Sequence, residues 1–261
     1  MAVNPRPRKT AARPRRRPDP FGEHARSVEL LWGERARPSR GPRPGLSVEG
    51  IARAAIAIAD VEGLAAVSMQ RVAGEFGFTP MALYRHVPGK DELVDLMIDT
   101  GLGAPPALAA LAGGWRPRLH AWARALWDVF HRHPWSLAAT NRLRVMGPNE
   151  LAWADAALAA LADTGLSAAE RHRVLIVVLG HVRSAAQFSV PGDRGRSLTG
   201  PQWTAATAAL VQRDPTRFAA LQATVAGRLA DPGEDDGLEF GLQIVLDGVA
   251  ALVDRRLHAQ R

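Results

Sequence analysis

Residues 48–101 read VEGIARAAIAIADVEGLAAVSMQRVAGEFGFTPMALYRHVPGKDELVDLMIDTG, and their periodicity decides the fold. Val48, Ile51, Ala52, Ala55, Ile56, Ile58 and Ala59 fall three and four apart, the stripe of a helix with one buried face. Ser47 precedes that stripe as an N-cap, and Glu62-Gly63 ends it. Ser68 caps a second helix carrying Val72, Ala73 and Phe76, which stops at Gly77. A third, short helix is predicted from Pro80 to His86 with Leu83 and Val87 inward, and Lys90-Asp91-Glu92 opens a fourth. Three short helices with a glycine at the second junction form a helix-turn-helix, whose third helix presents its N-terminal residues to the major groove. Thr79, Pro80, Met81, Tyr84, Arg85 and His86 are then left for the groove and its phosphate walls.

Outward from this segment, the chain reads as all-α. Of its 261 residues 47% are hydrophobic and only 6% aromatic, a set dominated by Ala and Leu, which favour helix over strand. Residues 102–261 carry longer helical patterns over 117–132, 148–162, 168–188 and 238–257, with weaker ones over 202–212 and 215–229. They are expected to form a larger helical domain, 102–261, behind the 46–101 helix-turn-helix domain. Residues 1–45 hold 12 Lys and Arg against 4 acids, more than the net +7 of the whole chain. This Pro/Arg-rich segment reads as a disordered basic arm, with at most one turn of helix at Val28–Trp32. It suits either phosphate contact or simple solubilisation.

The absence of cysteine excludes disulfides and thiolate metal sites and fits a reducing cytoplasm. No apolar run approaches the length needed to span a bilayer, so no membrane partner is expected. No phosphate loop, dinucleotide fingerprint, zinc-protease motif or nucleophile elbow occurs, so the chain is not expected to be an enzyme or to carry a cofactor.

The strings AIAIADVEGL, SMQRVA, LYRHV and GKDEL closely resemble the DNA-binding region of the TetR/AcrR family of bacterial transcriptional repressors. His131-Arg132-His133-Pro134-Trp135, Gly147-Pro148-Asn149-Glu150 and Gly180-His181 resemble the regulatory domain of its tetracycline-repressor branch. The resemblance implies a homodimer that binds double-stranded operator DNA and is released by a small-molecule effector. It implies phosphate contacts from Tyr84, His86 and Lys90, and base reading by Thr79, Pro80, Met81 and Ala82. Ser68, Met69 and Gln70 would bring the second helix's N-terminus to the groove. Few of these residues are polar, so base readout would rest on Gln70, Thr79 and Arg85, with apolar contacts to thymine methyls. The branch's metal–drug histidine corresponds to Ala138, which argues against a metal-chelated effector.

Two further expectations come from the residues. Indoles between helices can line flat apolar pockets, and polar side chains inside the apolar run 174–188 need partners. Trp127, Trp153, His181, Arg183 and Gln187 are the resulting candidates for an effector site. Leu238, Phe240, Leu242, Ile244, Val245, Val249, Leu252 and Val253 surround most of the last helix, so it needs a second burying surface. Paired with the 168–188 helix and with their copies, it would form a four-helix dimer seam. An effector-independent architectural DNA-binding protein is the alternative, although such a protein needs no large tryptophan-containing C-terminal half.

Overall fold

The computed structural model describes residues 21–33, 46–141, 144–190, 200–230 and 237–259, and among them it is helical with no strand. The helices are α1 (Ala25–Trp32), α2 (Val48–Glu62), α3 (Met69–Glu75), α4 (Pro80–Tyr84), α5 (Lys90–Leu102) and α6 (Trp115–Arg132). They continue as α7 (Trp135–Ala139), α8 (Pro148–Ala160), α9 (Ala168–Ser189), α10 (Gly200–Val211), α11 (Ala219–Ala230) and α12 (Glu239–Ala259).

The starts follow the capping chemistry. Ser47 Oγ accepts from Gly50 N–H and Ser68 Oγ from Arg71 N–H, at 3.0 and 3.1 Å. Ser167 and Glu170 form a reciprocal capping box at α9. The end of α2 differs from expectation in detail: Gly63 has φ +82° and ψ 163°, an extended glycine conformation rather than a left-handed cap. Helix α4 is one short turn, ending at Tyr84 rather than His86.

The head has its own core, in which Ile51, Val72, Leu83, Leu93, Leu96 and Met97 are fully enclosed. Helix α5 runs through its centre and is buried continuously from Leu93 to Asp99. A second core in the body joins α6, α8, α9 and α12 around Leu119, Trp122, Trp153, Val178 and Leu242. Trp135 and Ala139 of α7 belong to the head's core although they lie beyond residue 101 in the sequence.

The expectation that residues 1–45 are disordered is corrected for one stretch. Helix α1 has two turns and packs on α5, with Leu31 in the head core and Ser27 Oγ donating to Asp95 Oδ2 at 3.0 Å. Trp32 Nε1 donates to Met146 O at 3.0 Å, tying α1 to the loop before α8. The single-turn expectation underestimated this helix because both of its anchors are distant in sequence. The remainder of the basic arm and residues 191–199 and 231–236 lie outside the described residues.

Candidate nucleic-acid interface

Helix α4 buries only Leu83, and the adjoining Val87 is also enclosed, so the other side of the helix is turned outward. Met81 is 70% exposed and Tyr84 46%, large apolar areas that nothing among the described residues covers. Thr79, Arg85 and His86 are exposed beside them, while Pro80 and Ala82 are half-buried. Gln70 and Ser68 are exposed at the start of α3, and Lys90 is exposed at the first position of α5. Backbone N–H groups and the helix dipole make that end of α5 favourable to a phosphate.

Met69 does not join them. Its side chain is 6% exposed within the head core, so only its backbone can approach a groove. The position one after an N-cap turns its side chain inward here, which the linear motif does not reveal. Phe78, in the turn before α4, is 47% exposed and was not anticipated. Its signal in the sequence was an aromatic in a turn, directly before a helix that buries one side chain.

The charge of this region resolves in three ways. Arg71 is paired with both Glu62 and Glu75, and these two carboxylates, Glu62 first, push the guanidinium pKa up. Asp91 is exposed, whereas Asp95 and Asp99 are 2% and 1% exposed. The latter two are turned into the protein rather than into water. Asp99 Oδ1 accepts the N–H groups of Asn149 and Glu150 at 2.8 and 3.1 Å, capping α8 from another helix. Asn149 Nδ2 returns a bond to Asp99 O, and Glu150 is clasped by Arg144 in an almost fully buried ion pair.

Four of the five effector candidates have partners outside the group. Trp127 is buried with His131 stacked on it at 4.2 Å. Trp153 donates to Gly103 O and packs edge-on to Trp122, whose own indole donates to Trp153 O. His181 Nε2 bonds Leu238 O, and its ring lies against Gly241, where a Cβ would meet Cε1 at 2.2 Å. Arg183 donates to Leu137 O, Asn141 Oδ1 and Thr140 Oγ1, closing the end of α7, with Phe130 beneath it. Burial, then the nearby Arg144, lowers its pKa. Gln187 is exposed. Protein groups therefore satisfy His181 and Arg183, two of the polar residues of the 174–188 run that had suggested a ligand. His131 and His133 take separate partners, His131 bonding Trp127 O and Ser189, and His133 bonding Asp60.

An exposed short helix after a tight turn, backed by a buried connector and a separate helical body, defines a helix-turn-helix regulator. Residues 46–97 match the family described as "Bacterial regulatory proteins, tetR family", and residues 89–253 match "Tetracyclin repressor-like, C-terminal domain". The chain belongs to the TetR family. It is 37% identical over 242 residues to the HTH-type transcriptional repressor DrrR1 of Streptomyces coeruleorubidus, covering 90% of this chain and 88% of that one. Apo ActR from Streptomyces coelicolor superposes with a TM-score of 0.67 at 23% identity, over 82% of this chain and 99% of ActR. ActR in complex with actinorhodin gives 0.65 at 26%, over 80% and 98%. Among the described residues no helix is long and apolar enough to cross a membrane.

Proposed function

We propose that the protein represses transcription by binding a palindromic operator as a homodimer and leaves the DNA when a small-molecule effector binds its body. The observation that carries this reading is the uncovered face of α4, where Met81 and Tyr84 stand out of the fold beside Lys90 at the start of α5. The assigned roles are phosphate contact for Tyr84, His86 and Lys90, and base reading for Gln70, Thr79 and Arg85 with Pro80, Met81 and Ala82 against thymine methyls. Ser68 serves through its cap, holding the N-terminus of α3 in place.

The dimer reading is supported by large apolar side chains that the described residues leave exposed on α9 and α12: Ile176, Val177 and Phe188, with Phe240 and Ile244. Exposed apolar area of this kind marks interaction surfaces. The effector reading is supported by the relative ActR, solved with actinorhodin bound. Trp127 and Gln187 are its first candidates here. Trp153, His181 and Arg183 would each have to give up a backbone partner to contact a ligand. Those internal partners favour the effector-independent alternative, and screening apolar ring compounds for release of bound DNA separates the two. Selection from a random duplex library tests the main reading: enrichment of a two-fold-symmetric site supports it, and no enrichment overturns it.

A further inference from the structure

The segment that ends α6 is plugged into the DNA head. Trp135 is 5% exposed and sits with Ala139 in the head core, among residues of α2 and α5. Asp60, in the last turn of α2, accepts on one oxygen from both sides of this plug. His133 Nδ1 approaches Oδ1 at 2.8 Å and Trp135 Nε1 at 2.7 Å. The two rings lie 5.9 Å apart, and a Cβ at Gly101 would meet His133 Cδ2 at 3.4 Å and Trp135 Cζ2 at 3.7 Å. The His133–Trp135 pair is thus wedged between the end of the first head helix and the end of the connector α5.

This arrangement has a mechanical consequence. Helix α6 supplies Trp122, Trp127 and Phe130 to the body core, so any repacking of that core displaces α6. Moving its C-terminus relative to the head breaks two hydrogen bonds from the buried His133 and Trp135 rings to one partly exposed carboxylate. Such bonds hold a geometry firmly because the loss of one partner leaves a buried polar group unmatched.

We propose that Asp60 is a positioning residue for DNA binding: through His133 and Trp135 it fixes the tilt of the head on α6 and so presents α4 in the DNA-competent orientation. This rests on the operator-binding reading above. Asp60 touches no DNA in this scheme. With the joint opened the head samples several tilts, and binding must select one of them, which weakens affinity.

The test uses full-length protein and a duplex selected by the wild type from a random library. Asp60→Ala removes the shared acceptor, and His133→Leu removes one donor while leaving the Trp135 bond. His133→Asn restores a donor close to the position of Nδ1. Because the chain has no cysteine, spin labels at Val61→Cys, 85% exposed, and Ala162→Cys, also exposed, report the head-to-body distance. The labelled chains are diluted with unlabelled protein. At a temperature where all variants are folded, Asp60→Ala and His133→Leu are expected to bind about tenfold more weakly, with a broadened distance distribution. His133→Asn is expected to recover most of the affinity and the narrow distribution. If Asp60→Ala fails to fold, the His133 pair carries the comparison. Unchanged affinity in folded His133→Leu, or His133→Asn as weak as His133→Leu, overturns the proposal, even if melting temperatures fall. A wild type that selects no duplex overturns the operator reading instead.

Discussion

A Cβ at residue 147 would fall 2.2 Å from Asp99 Oδ1, so Gly147 and the Asp99 carboxylate occupy space that no further side chain can share. The contact joins the loop before α8 to the connector α5, and Asp99 can cap α8 only because residue 147 is glycine. Gly147→Ala is therefore expected to destabilise the fold by about 1–3 kcal/mol, the usual range for overpacking. Urea unfolding monitored by circular dichroism measures it, and an unmoved midpoint would contradict the close approach.

The surface assignments separate into positioning and reading. Lys90→Ala and Tyr84→Phe are expected to weaken binding to every duplex, and Lys90→Ala to lower the slope of affinity against log salt by about one. Gln70→Ala and Thr79→Ala should alter base preference, with single-position changes of about 1–3 kcal/mol. Fluorescence anisotropy across salt concentrations and across operator variants distinguishes the two groups. Equal losses on all duplexes for Gln70→Ala would remove it from base reading.

What the sequence discloses here is the local part of the structure. Caps at Ser47, Ser68 and Ser167 act within three residues of themselves, so the helices they open are legible as a string. Helix α1 is not, because it is held by a bond from Ser27 to a residue 68 positions away and by burial of Leu31. Asp60, Asp95 and Asp99 look like ordinary surface acids on helical stripes. Their donors come from α7, α1 and α8, which no periodicity places beside them. The partners of Arg183 likewise lie more than 40 residues away, so an embedded arginine could be misread as awaiting a ligand.

The order found in α1 changes what truncation should do. Residues 1–20 carry seven basic side chains and one acid, and their removal leaves α1 intact. Deleting 1–20 is expected to reduce the salt slope of DNA binding without moving the unfolding midpoint. Deleting 1–45 additionally strips Leu31 from the head core and should cost about 2–5 kcal/mol, the range for emptying a leucine site. Comparing the two truncations by urea unfolding and anisotropy tests both statements. Equal stabilities would deny α1 a structural role, and an unchanged slope would leave the arm a solubilising one.

Glu170 links the start of α9 to Arg256 near the end of α12, and this arginine, then the Ser167 N–H and hydroxyl, hold its carboxyl down at about 2. A carboxyl depressed below its ordinary 4.5 supports the fold above that value and loses the contribution as pH falls towards 2. Glu170→Gln is accordingly expected to be less stable than wild type at pH 7, with the gap closing between about pH 4.5 and 2. Denaturant midpoints of both proteins across that window provide the check. A gap that widens on acidification would reverse the sign and exclude the pairing as its source.

Helix α12 is apolar on two stripes, and the structure sorts them. Leu238, Leu242 and Leu246 are fully enclosed by the chain's own body, and Val249 and Val253 nearly so, whereas Phe240 and Ile244 are 70% and 56% exposed. Val245 and Leu252 are intermediate, packed at the margin of the body core, and are ambiguous probes of a dimer seam. Ile244 and Ile176, both outward, are better ones. A glutamate placed at either costs nothing in a free monomer, where it meets water, but buries a charge where a second copy covers it. Ile244→Glu and Ile176→Glu are thus expected to yield folded, helical monomers with weakened operator binding. Leu242→Glu, aimed into the body, should instead unfold the domain. Sedimentation with far-UV circular dichroism reads both outcomes. A dimer that survives both outward substitutions would move the seam off α9 and α12, and a wild type that sediments as a monomer would remove the two-fold partner altogether.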